Sequence, residues 1–245
     1  MSAQWKRGSD TDLGQPVRTL LDHPSPAERS PALVPTARPD HSLVMAHSRQ
    51  DHRGEEVRAL RTELLLRWEP QDATRVVALL SPCAGDGRTQ LAAELAIAFA
   101  QLGRPTLLVD ADLRNPRQHV LFSTEREMGL SQALDLGVSP RVHAVEGIEQ
   151  LFLVTAGLTP PNPLELLLNG GFESLLDEWR LRFDFIVLDT PPVTPFSDGL
   201  TVASVARHVL ALTRADRTPY RDTRDMLRRL AATRADVLGA VISRF

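Results

Sequence analysis

The sequence predicts an α/β protein built on a doubly wound, mostly parallel sheet with helices on both faces. Short β-rich runs alternate with longer helical patterns from residue 75 onward, and the runs are apolar at nearly every position instead of every second one. Strands buried on both faces read in that way. In such sheets ligands bind beyond the carboxyl ends of the strands, and the polar motifs of this chain fall there.

The first element is a helix. In GEEVRALRTELLLRW, residues 54–68, Val57, Leu60, Leu64 and Trp68 follow a 3.6-residue repeat, and Glu69-Pro70 breaks it. The expected elements that follow are strand 75–80, helix 88–102, strand 105–110, helix 130–136, strand 150–155, helix 164–180, strand 184–189, helix 198–206, strand 208–213, helix 219–233 and strand 237–242. Residues 1–50 carry six prolines (Pro16, Pro24, Pro26, Pro31, Pro35 and Pro39) among Ser, Asp, Arg and His, and read as a disordered tail. One domain over 52–245 follows a tail over 1–50.

Composition narrows the function. Of 245 residues 42% are hydrophobic and 24% charged, an ordinary globular balance, and the net charge of −3 creates no field that would draw nucleic acid. The apolar runs stop far short of the roughly 18–20 residues of a spanning helix. The N-terminus lacks the apolar core of a signal peptide, and Cys83 has no second cysteine to pair with, so a cytoplasmic location is expected. Of the 28 basic residues only Lys6 is lysine, so any lysine role in the domain falls to arginine.

Three segments carry chemistry. After the first strand, Ser81-Pro-Cys-Ala84-Gly85-Asp86-Gly87-Arg88-Thr89-Gln90 compares with G-x-x-x-x-G-K-[ST], whose backbone N–H groups cradle phosphate at a helix N-terminus. Thr89 offers a hydroxyl for Mg2+. Pro82 stands for the first glycine and Arg88 for the lysine, keeping the charge on a larger planar group; taken alone, a glycine-containing turn is the other reading. The second strand ends in Val109-Asp110-Ala-Asp112-Leu-Arg114, and alternation turns Asp110 and Asp112 to one side. A third apolar strand delivers Asp189, in LDTPP at 188–192, to the same edge. Carboxylates beside a phosphate loop position Mg2+ and accept a proton from an attacking hydroxyl.

Together these segments resemble the bacterial tyrosine kinases of the capsule and exopolysaccharide type, which share the deviant Walker P-loop fold with MinD and ParA ATPases. The likeness spans about residues 52–245. It rests on the loop 81–89, VDADLR at 109–114, LDTPP at 188–192, GLTPPNP at 157–163 and LGAVIS at 238–243. The nearest subgroup in this reading is the chain-length-determinant-associated kinase of exopolysaccharide loci, in which an arginine in the phosphate loop and phrases such as LLVDADLRNPRQH also occur. The resemblance implies ATP and Mg2+ as cofactors, with nucleotide bound by Ala84–Gln90 and metal held by Thr89, Asp110 and Asp189. It implies Asp110 as the base for a tyrosine hydroxyl, Asp112 assisting metal or water, and Arg88 on the β- and γ-phosphates.

Glu55, Arg58 and Arg61 match the family's E-x-x-R-x-x-R segment, which implies a ring-shaped homo-oligomer. The implied partner is a membrane-embedded, Wzz-like chain-length determinant that holds the chain at the inner membrane and activates it. Gln90 stands where relatives place a second hydroxyl, and the relatives' cluster of C-terminal tyrosines is absent: Tyr220 is the one tyrosine, a candidate phosphosite at a helix start. Two other readings stay open, an ATP-dependent assembly module with little phosphotransfer and a MinD- or ParA-like positioning ATPase. Arg221, Arg224, Arg228 and Arg229 form a basic stretch, but Asp222 and Asp225 interrupt it, which reads as a solvated face without nucleic-acid binding.

Overall fold

Alternation of side chains along the strands organises the fold. In β2 (Arg75–Leu80), Val76, Ala78 and Leu80 enter one apolar layer while Val77 and Leu79 enter another, and both layers exclude water almost completely. The computed structural model describes residues 35–48, 51–68 and 74–244. Within them the remaining strands are β1 (Pro35–Ala37), β3 (Thr106–Asp110), β4 (His143–Val145), β5 (Leu151–Val154), β6 (Phe185–Asp189), β7 (His208–Arg214) and β8 (Asp236–Ser243). Their order across the sheet is β1-β4-β5-β3-β6-β2-β7-β8, with every pairing parallel except β4 with β5.

One face is covered by α1 (Val44–His47), α2 (His52–Arg67), α3 (Arg88–Ala100) and α4 (Gln118–Leu121). There Trp68, just past α2, meets Phe99 of α3 and Phe185 of β6, whose rings stack 4.4 Å apart. The opposite face carries α5 (Leu130–Leu136), α6 (Pro163–Leu168), α7 (Gly171–Arg180), α8 (Asp198–Ala206) and α9 (Tyr220–Ala231). Because the central strands β2, β3 and β6 are mostly apolar and buried along their whole length, packing on both faces is the arrangement that removes them from water, at roughly 25 cal/mol per Å².

The expected strands and most helices appear within a residue or two of their anticipated ends. Three elements differ. The helix expected over 164–180 is two helices, because Gly170 takes a left-handed conformation (φ +84°) and the Asn169 side chain accepts from Gly171 N. The short antiparallel strand β4 was not anticipated. The tail expected over 1–50 ends earlier: residues 35–48 belong to the domain, while the expectation for 1–34 and the Glu69-Pro70 break lie outside the described residues.

The apolar run Leu43-Val44-Met45 explains why this segment folds. Leu43 and Met45 are buried against α2 and α3. The buried Glu94 carboxylate accepts the N–H groups of Val44 and Met45 at 2.8 Å each, capping α1. β1 then adds to the sheet edge beside β4, where Thr36 Oγ1 meets His143 Nδ1 at 2.8 Å.

Candidate active site

The loop Ser81–Gly87 joins β2 to α3, and its shape depends on two glycines. Gly85 (φ +80°) and Gly87 (φ +95°) sit in the left-handed region that strains other residues, and Gly87 caps α3, so the first N–H groups of that helix face outward. A cavity of about 240 Å³ lies there, lined by Gly85–Gln90 together with Arg117 and Leu121. A larger cavity of about 530 Å³ lies between α2, α3 and β8; apart from Gly87 and Gln90 it shares no residue with the loop cavity.

Parallel register brings the carboxylates together. Asp110 ends β3 and pairs directly with Asp189 at the end of β6, so two acids occupy neighbouring strand termini, both wholly buried. Asp110 Oδ2 accepts the N–H groups of Arg117 (3.1 Å) and Gln118 (3.0 Å), and its Oδ1 accepts that of Asp112 (3.2 Å). Asp112 Oδ1 in turn accepts from Arg114 N and Asn115 N. Asp189 Oδ2 accepts from Gln118 Nε2 at 2.9 Å, while Asp189 Oδ1 has no hydrogen-bond partner.

Arg88 occupies the space between them. Its guanidinium is buried, donates to Ser81 Oγ, and lies 3.6 Å from Asp112 Oδ2 and 3.5 Å from Asp189 Oδ1, with Nε making no hydrogen bond. It serves as an internal counter-ion for otherwise unneutralised acids. Burial, followed by the neighbouring charge of Asp189, pushes Asp110 well above the usual carboxylate range, while the N–H of Gln118 pulls it partly back. Burial pushes Asp189 up to about 6, opposed mainly by Arg88.

The structure thus brings Arg88, Thr89, Asp110, Asp112 and Asp189 to one edge with Ala84–Gln90. It also adds residues that the sequence reading did not single out. Gln118 is buried and bridges Thr89 O and Asp189, with its Oε1 left without a partner. The segment after β7 closes over the phosphate loop. Thr218 Oγ1 donates to Asp86 Oδ1 (2.7 Å), Arg214 Nη1 donates to Gly85 O (3.2 Å), and Arg217 covers Gly85, where a Cβ would lie 3.3 Å from its Nη2. A usable signal existed, since β7 is one more strand ending at the ligand edge.

Other residues fall elsewhere. Glu55 and Arg58 pair with each other on the outer face of α2, and Arg61 donates to Ala98 O on α3 at 2.9 Å. Tyr220 opens α9 with an exposed ring. Cys83 is half-buried with Sγ 3.7 Å from Asp222 Oδ2, and burial pushes its thiol up. On α9, Arg224 and Arg228 pair with Asp225, Arg221 pairs with Asp222, and Arg229 donates to Val193 O.

No family model matches the chain. The EpsB protein of Ralstonia solanacearum is 35% identical over 192 residues, and the chain spans 25% of that protein's length. The tyrosine-protein kinase YwqD of Bacillus subtilis is 32% identical over 191 residues, covering 77% of this chain and 80% of YwqD. Among solved structures, the chimerical protein CapA2B2 aligns with a TM-score of 0.78 at 29% identity, over 87% of this chain and 95% of that one. Aligned over most of both its own length and that of YwqD, and carrying its acids and phosphate loop at one sheet edge, the chain belongs to the bacterial tyrosine-kinase family.

Proposed function

We propose that this chain binds ATP with Mg2+ at its phosphate loop and transfers the terminal phosphoryl group to a tyrosine hydroxyl. The observation that carries the reading is the meeting of Asp110, Asp112 and Asp189 beside the loop, with one buried oxygen, Asp189 Oδ1, that accepts no hydrogen bond and faces the Arg88 cation at 3.5 Å. A buried carboxylate oxygen that accepts no hydrogen bond calls for an explanation, and a cation bound with the nucleotide supplies one.

The residues fit Mg2+. This ion takes oxygen ligands, retains waters, and is held by one or two carboxylates plus substrate phosphates. Among the described residues no group of three or more His, Cys, Asp or Glu could hold a metal unaided, which fits a cation delivered with the nucleotide. Thr89 and Asp189 would hold it, with Asp110 behind them. When bound, Mg2+ supplies neutralisation of the charge on the transferred group.

The chain's own groups do the rest. N–H groups of Ala84–Gln90 bind the phosphates, and Arg88 moves from the acids onto the phosphate oxygens when they arrive. Asp110, with its raised proton affinity, takes the tyrosine proton, and Asp112 positions the reacting groups. Glu55, Arg58 and Arg61 form the contact of a ring-shaped oligomer, and Tyr220 is the phosphosite within the chain. The setting in this reading is control of exopolysaccharide or capsule chain length and export, with a membrane-embedded chain-length determinant as the activator that holds the chain at the inner membrane. Among the described residues no helix is long and apolar enough to cross a membrane.

A second reading, a nucleotide-binding assembly module with little phosphotransfer, is favoured by the burial of Arg88 between the acids and by the single tyrosine. Phosphotyrosine mass spectrometry after incubation with Mg-ATP separates the two, run beside D110N and D112N because Asp112 alone of the three acids retains any exposed surface. Phosphotyrosine lost in D110N supports the kinase; nucleotide-dependent assembly without phosphotyrosine supports the module.

A further inference from the structure

The phosphate cradle has a second cation, one without a partner among the described residues. Arg88 is held by Ser81, Asp112 and Asp189 before any phosphate arrives. Arg117 lines the same 240 Å³ cavity as Gly85–Gln90, and among the described residues its guanidinium has neither an acidic nor a hydrogen-bonding partner. Its own N–H donates to Asp110 Oδ2 at 3.1 Å, which ties the base of this side chain to the acid edge.

Position gives this cation a role. Arg214 and Arg217 hold the Gly85 end of the loop, next to the segment that follows β7. Arg117 lines the cavity with Arg88–Gln90, and its backbone N–H on Asp110 sets it beside the end of β3. A phosphate chain laid along the loop with its reactive end at the acids would bring its last phosphate to Arg117.

We propose that Arg117 binds the terminal phosphate of the nucleotide and sets the preference for a triphosphate over a diphosphate. This rests on the nucleotide-binding reading above. A guanidinium meets phosphate oxygens in a planar fork, and charge-assisted hydrogen bonds of that kind are about twice as strong as neutral ones. Ordering a long exposed side chain costs entropy, offset only when the terminal phosphate is present. The contact therefore favours the triphosphate selectively and disappears once that phosphate has been transferred, which favours release of the diphosphate.

The test is calorimetric titration of the full chain, R117Q and R117K with Mg-ATP and with Mg-ADP. R117Q is expected to lose about tenfold in ATP affinity while ADP affinity stays within about twofold, with R117K intermediate. Thermal unfolding is expected to be unchanged, since the substituted side chain is exposed and residue 117 keeps its N–H to Asp110. Equal losses for ATP and ADP, or an unchanged ratio in R117Q when the unmodified protein binds both, would overturn this role alone. An unmodified protein that binds neither would overturn the proposed function and this role with it.

Discussion

Replacing Arg88 with alanine removes the cation that lies 3.6 Å from Asp112 and 3.5 Å from Asp189. Removing one partner of a buried pair leaves an uncompensated charge and costs roughly 3–5 kcal/mol. Asp189 stands at about 6 against an ordinary 3.8 even with Arg88 beside it. At about 1.4 kcal/mol per pH unit, its ionisation already costs the folded state roughly 3 kcal/mol at neutral pH. The folded state holds this proton more tightly than the unfolded chain does, so the contribution of this one group to stability is fully present below pH 3.8 and is lost as pH rises through about 6. Without Arg88 the acid rises further, and the penalty for the variant grows with pH. Urea denaturation of nucleotide-free protein at pH 5 and pH 8 measures this. R88A is expected to lose about 3–5 kcal/mol at pH 8 and clearly less at pH 5. A loss below about 1 kcal/mol at pH 8, or the same loss at both pH values, would refute the counter-ion argument.

Other expectations follow from the same geometry. D110N keeps an oxygen for the N–H groups of Arg117 and Gln118, loses the acceptor for Asp112 N and removes a charge facing Asp189; measured against the unmodified protein, its unfolding midpoint should be higher at pH 8 than at pH 5, even as phosphotransfer is lost. Mg-ATP affinity should strengthen as pH rises through about 6, where Asp189 ionises, and calorimetry showing a flat profile from pH 5 to 8 would contradict this. Thr218→Val leaves Asp86 Oδ1 without its hydroxyl donor and should destabilise the protein by about 1–3 kcal/mol, read by denaturation, with weaker nucleotide binding. Gly129→Ala sets a Cβ 2.3 Å from Gly157 N and 2.5 Å from Thr155 O. Because both are backbone atoms, the cost should reach about 3 kcal/mol, and a neutral substitution would show that this junction relaxes freely.

The parts of this molecule legible in the sequence are those written in single, local signals. Strands buried on both faces appear as unbroken apolar runs, and the loop 81–89 and the acids Asp110, Asp112 and Asp189 appear as residues at strand ends. The helix break at Gly170 was also written locally, in Asn169-Gly170-Gly171, but a strong apolar repeat on either side obscured it. Less legible were features that depend on partners far along the chain. Residues 35–48 fold because Leu43 and Met45 are buried and Glu94 caps α1, and prolines nearby made the segment look like tail. The roles of Gln118, Arg117 and Thr218 come from what faces them across the sheet edge: Asp189, the phosphate cradle and Asp86. Nothing in their local sequence marks those distances. The seven-residue reach from Arg88 back to Ser81 is likewise a product of the loop's fold.

Tyrosine phosphotransfer at the acid edge is read by phosphotyrosine mass spectrometry on the purified full chain with Mg-ATP and a glutamate–tyrosine copolymer as added acceptor. Phosphotyrosine on Tyr220 or the copolymer with the unmodified protein, and none with D110N, is the predicted result. ATP bound with no phosphotyrosine on either, or equal phosphotyrosine from D110N, would contradict it.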